Sequence, residues 1–111
     1  LEKHMNKFVG LFSRQTPADL YQLKYLIHDV NISSKEMNWA KANSSMKSIL
    51  NLWSSIEPKA SETDKNLNLQ LKQSINEIED VVKGKKEKLI GMKAKTSIEL
   101  IGKLMNAFEE K

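Results

Sequence analysis

The sequence has no cysteine, two prolines, four glycines and only 6% aromatic residues in 111 positions. Each shortage excludes something. Without cysteine there is no disulfide framework, no thiolate nucleophile and no thiolate metal site, although that leaves the compartment open. So few Pro and Gly argue against a turn-rich all-β fold. No apolar run approaches the ~20 residues of a membrane span. Arginine is nearly absent: 17 of the 18 basic residues are Lys, with Arg14 the exception. That bias reads as codon usage in an AT-rich genome, so the sequence pI of about 9.3 is discounted as a functional signal.

What is present suits a globular chain, with 40% hydrophobic and 29% charged residues. At ~100–200 residues per domain this is one domain. It can bury about two-thirds of the surface that its unfolded chain exposes. A start at Leu1 reads as a fragment or a processed product, and any signal peptide or anchor is expected upstream. The +4 net charge is uneven. Residues 1–82 hold 10 basic and 10 acidic side chains, and residues 83–111 hold 8 and 4. The excess centres on Lys83, Lys85, Lys86, Lys88, Lys93 and Lys95.

Periodicity is helical throughout. Leu1, Met5, Phe8 and Phe12 recur at 4, 3 and 4 and predict a short amphipathic helix over residues 1–15. Thr16, Pro17 and Asp19 supply an N-cap, a first-turn proline and a dipole-favoured acid for the next helix. That helix is expected to run to about Asn31, with a stripe of Leu20, Leu23, Ile27 and Val30. It has a second face of Tyr21, Tyr25, His28 and Ile32, so a further neighbour is expected there. Residues 31–34 read as a turn, followed by a capping box at Ser33/Glu36 or a cap at Asn38. The next stripe is Trp39, Ala42, Met46, Ile49, Leu50, Trp53 and Ile56, with both tryptophans expected in the core. Pro58 is expected to stop it, and Ser61 with Asp64 to cap its successor. That helix carries Leu67, Leu71, Ile75, Ile78, Val81 and Val82 and is expected to end at a left-handed Gly84. The last spans about 86–109 with Ile90, Ala94, Ile98, Ile101, Met105 and Phe108. Gly91 and Gly102 at the edge of that stripe suggest close approach by a neighbour.

The fold expected is therefore all-α: an antiparallel up-and-down bundle of about four helices over residues 16–111, preceded by the short amphipathic helix.

The chemistry looked for is mostly missing. The available bases for a serine nucleophile are His4 and His28. His28 is followed by Asp29, but adjacent helical residues point about 100° apart. No phosphate-cradling glycine loop and no Glu-x-x-His occur. Glu77, Glu79 and Asp80 lie off the apolar stripe and read as a solvated face. No catalytic residue, cofactor or metal is expected. The lysine cluster could meet an anion through Lys83, Lys85, Lys86 and Lys88. It lacks the arginines of base recognition and the aromatics of a stacking platform, so specific nucleic-acid binding is not expected. A solvated connection is the simpler reading. A partner contact, with protein or a second copy, is expected at Phe8, Phe12, Tyr21, Tyr25 and His28. Residues 1–14 are expected to fold back onto the Tyr21 face, the alternative being docking onto the same face of a second copy.

Asn38-Trp39, Lys41, Ala42, Leu50, Trp53 and Ile56 carry a resemblance. So do Leu71 to Val82, the Gly84-Lys85 break, and Ile98, Ile101 and Phe108. The stretch from Leu20 to Phe108 resembles a small helical domain of uncharacterised exported proteins and lipoproteins of low-GC Gram-positive bacteria. That family often has an acidic residue where this chain has Gly84 and Lys85. The resemblance implies a helical domain outside the cytoplasm, with membrane attachment only through an anchor beyond this chain, and no catalytic residues. The role expected is non-enzymatic: protein interaction or scaffolding at the cell surface. The alternative is binding to an anionic surface through Lys83–Lys95.

Overall fold

The computed structural model describes residues 18–110, and four helices make up most of that stretch. They are α1 (Ala18–Lys35), α2 (Trp39–Thr63), α3 (Lys65–Lys83) and α4 (Glu87–Glu110). The amphipathic helix expected over residues 1–15 lies outside the described residues. Short links make successive helices antiparallel neighbours. Each helix packs chiefly on two others: α1 on α2 and α4, and α3 on α2 and α4. The described residues thus form an all-α, up-and-down four-helix bundle.

The core is the set of stripes expected from spacing, turned to one axis. Leu20, Leu23, Ile27 and Val30 of α1 meet Ala42, Met46, Ile49, Trp53 and Ile56 of α2. Leu71, Ile75, Ile78, Val81 and Val82 of α3 join Ile90, Ala94, Ile101 and Phe108 of α4. Three details correct the expected pattern. Trp53 is 5% exposed, whereas Trp39 is only half-buried, because it opens α2 at the bundle's end where fewer side chains can cover it. The true row on α4 includes Ser97 and Leu104, while Ile98 and Met105 are partly buried at its flank. Gly91 and Gly102 do not mark close helix approach. The nearest group to Gly91 is the flexible end of Lys35, and nothing stands within 4 Å of where a Gly102 Cβ would lie.

The helix ends explain the remaining differences. Residues 31–34 are helical, since Ser33 and Ser34 are small enough to be buried against the neighbours. The α1 end is closed by backbone bonds: the Asn38 N–H donates to the Ser33 carbonyl (2.8 Å) and the Met37 N–H to that of Ser34 (3.0 Å). Met37 takes a left-handed φ of 60°. This is the Schellman arrangement, with Met37 where glycine is usual. The cap of α2 is then Asn38, whose Oδ1 accepts from the Lys41 N–H at 3.2 Å, and not the Ser33/Glu36 box. The α3 end repeats the design. The Lys86 N–H donates to Val81 (3.0 Å) and the Lys85 N–H to Val82 (3.1 Å). The left-handed residue is Lys85 (φ 53°), while Gly84 stays right-handed at −83°. Gly84 keeps right-handed dihedrals as the C-cap, so the left-handed position falls one residue later, on Lys85.

Pro58 does not end α2. It sits inside the helix on an exposed face, and the carbonyl it leaves unpaired belongs to exposed Ser54. Water can satisfy that group, while Ile56 and buried Ala60 hold the helix onto the core. Asp64 alone links α2 to α3. Its N–H donates to the Ala60 carbonyl (2.9 Å) and its Oδ1 accepts from the Leu67 N–H (3.0 Å). The cap is therefore Asp64, not Ser61.

Candidate functional site

α1 has more apolar surface than the bundle uses. With its core stripe turned inward, Tyr21, Tyr25 and Ile32 are left 57%, 64% and 55% exposed, with exposed His28 between them. Spacings of 4, 3 and 4 keep the four on one outer row. Contiguous exposed apolar groups of this kind mark contact surfaces. Phe8 and Phe12, expected to share this contact, lie outside the described residues. Asp29 turns away from His28 toward α2. There its Oδ2 accepts from Ser45 Oγ at 2.6 Å and its Oδ1 stands 3.6 Å from Lys41 Nζ. The carboxylate that would orient His28 as a base is thus already committed to the α1–α2 seam.

The lysine cluster divides in two. Lys83 pairs with Glu79 one turn back on α3 (3.5 Å), and Lys93 bridges to Glu77 across the α3–α4 seam (3.1 Å). Lys85 and Lys86 stand exposed on the turn, and Lys88 and Lys95 on α4, with no ion pair among the described residues. Glu77 and Glu79 are half-buried under these pairs and are not freely solvated. Asp80 is exposed.

Two further α1 lysines, Lys24 and Lys35, belong with the unpaired set and were missed in the sequence. Lys35 reaches over Gly91, its Nζ 4.0 Å from the position a Cβ would take. That approach puts the C-terminal end of α1 beside the N-terminal end of α4. Tyr21, Lys24, His28, Ile32 and Lys35 run along one bank, and Lys88, Gly91 and Lys95 along the other. Helical spacing on each element could have identified both banks, but only the packing of α1 on α4 brings them side by side.

The interior holds buried hydroxyls. Ser74 of α3 and Ser97 of α4 share a buried hydrogen bond. Among the described residues no three His, Asp or Glu stand together as metal ligands. No described helix is long and apolar enough to cross a membrane. A shallow groove of about 350 Å³ between α2 and α3 is lined by Met46, Leu50, Val82 and the paired Lys83, with no nucleophile–base pair. The fold thus defines a small four-helix domain whose distinguishing surface is an open, tyrosine-bearing and lysine-bearing face. Compared with family models, curated proteins and solved structures, the chain matches none.

Proposed function

We propose that the domain is a non-enzymatic interaction module acting outside the cytoplasm, with the outer face of α1 as its contact surface. The observation that carries this reading is the exposed row Tyr21, Tyr25, His28 and Ile32 on a helix whose core stripe is already fully buried. Tyrosine suits such a surface: its ring gives contact area at low entropic cost and its hydroxyl stays wet. The extracytoplasmic setting rests on the resemblance to exported helical domains.

Charge favours an outside partner over the chain's own first residues. Residues 1–14 carry Lys3, Lys7 and Arg14 against Glu2, the same sign as Lys24 and Lys35. A second copy presenting the same face would likewise set lysine against lysine.

A photo-crosslinking amino acid tests this at Tyr25 and, as a control, at exposed Gln70 on α3 in the producing cell. Adducts of any class from position 25 and none from position 70 are expected. Adducts from position 70 alone would place the working surface elsewhere.

A further inference from the structure

Ion pairs tie three of the four seams of the bundle. Lys41–Asp29 spans α1–α2 at 3.6 Å, Lys72–Glu57 spans α2–α3 at 3.5 Å, and Lys93–Glu77 spans α3–α4 at 3.1 Å. The α1–α4 seam has none among the described residues, and exposed lysines stand on both of its helices. Exposed Lys24 and Lys35 stand on α1, exposed Lys88 and Lys95 on α4, and exposed Lys85 and Lys86 on the turn beyond. Like charges on adjacent banks repel, so the arrangement costs stability in the isolated domain. An anionic counterpart laid along the seam removes that cost.

The same face bears the exposed apolar side chains. Tyr21, Tyr25 and Ile32 lie on the α1 bank, and Met92, 59% exposed, lies beside Lys88 and Lys95 on α4. Exposed Glu99, one turn beyond Lys95, interrupts the row at mid-helix, and Glu109 stands at the far end of α4. A surface that intersperses lysines with tyrosine, isoleucine and methionine matches the boundary layer of a bilayer. Ammonium groups meet anionic headgroups there, and aromatic rings sit at headgroup depth.

We infer that the α1–α4 face is a peripheral docking surface for an anionic lipid bilayer, with Lys24, Lys35, Lys88 and Lys95 contacting headgroups and Tyr21, Tyr25 and Met92 entering the interface. This rests on the reading of the α1 face as the working surface and names its partner. Each juxtamembrane lysine contributes about fivefold in affinity near an anionic surface. The four together therefore account for several hundredfold, to order of magnitude. The attraction fades with salt, because exposed charges are screened within about a Debye length.

The test is co-sedimentation of the full chain with vesicles. One set is phosphatidylcholine alone, and the other contains equal parts of phosphatidylglycerol. Binding to the second set only, weakened by salt, is expected. A Lys24→Gln/Lys35→Gln/Lys88→Gln/Lys95→Gln variant, shown folded by circular dichroism, should lose on the order of a hundredfold or more. Tyr21→Ser/Tyr25→Ser should weaken binding while keeping its salt dependence. The Gln substitutions are all at exposed positions, so folding is not expected to suffer. Equal binding to both vesicle sets, or full binding by the Gln variant, overturns the proposal. If vesicles fail to bind but soluble polyglutamate binds and is lost in the Gln variant, the partner is an acidic polypeptide. The lipid assignment then falls while the face stands. If the Tyr variant alone changes nothing in either assay, the α1 reading itself is at fault.

Discussion

Replacing Ser74 by Ala tests the buried polar contact between α3 and α4. Ser74 is 4% exposed and Ser97 0%, and each hydroxyl has the other as its partner. Removing one loses a hydrogen bond of about 1 kcal/mol and leaves the other buried without its partner, a cost of about 1–3 kcal/mol. Two effects work against that loss. Alanine is the better helix former by about 0.5 kcal/mol, and the surviving hydroxyl can turn back to its own helix's i−4 carbonyl. The net expectation for Ser74→Ala, and equally for Ser97→Ala, is a loss of about 1–2 kcal/mol. The double variant removes both polar groups and gains propensity twice, so it should equal or exceed the parent in stability. Urea unfolding followed by circular dichroism measures this. With a urea slope of about 1–2 kcal/mol/M, each single change shifts the midpoint by about 1 M. An additive double variant, as unstable as the two singles summed, would refute the pairing.

Other expectations follow from burial and backbone geometry. Trp53→Ala should cost about 3–5 kcal/mol, and Trp39→Ala less because its side chain is only partly buried; thermal melts of the two rank them. Met37→Gly and Lys85→Gly should each stabilise by about 0.5–1 kcal/mol, since an L-residue in the left-handed region costs about 1–2 kcal/mol, partly offset by glycine's freedom when unfolded. A lower midpoint in either would contradict the turn geometry. Gly102→Ala meets no neighbour within 4 Å and should raise stability by about 1 kcal/mol, readable as a higher melting temperature.

The helices were legible in the sequence because 3.6-residue periodicity is strong in each. The boundaries were less so, and the reason is local. Buried serine looks like turn serine in a sequence, so Ser33 and Ser34 suggest a turn after Asn31 although they lie within α1. Ser97 hid the true row Ile90, Ala94, Ser97, Ile101, Leu104 and Phe108 in the same way. Intrinsic propensity makes Pro58 a stop signal. Core contacts on both sides of an exposed proline outweigh it. At the site, the apolar outer row on α1 could be read directly. Its junction with Lys88 and Lys95 could not, because those residues lie 53 or more positions after Lys35 and meet it only through the way α4 packs on α1.

The outer face of α1 is proposed to stand open for a partner. The chain's only two tyrosines, Tyr21 and Tyr25, both lie on that face. Nitration by tetranitromethane, read by mass spectrometry, therefore reports on it alone. The account predicts that both react at the rate of free tyrosine in the full chain, and no faster after deletion of residues 1–14. Tyrosines protected in the full chain and reactive only after the deletion would show that the chain covers this face itself, and would contradict the claim.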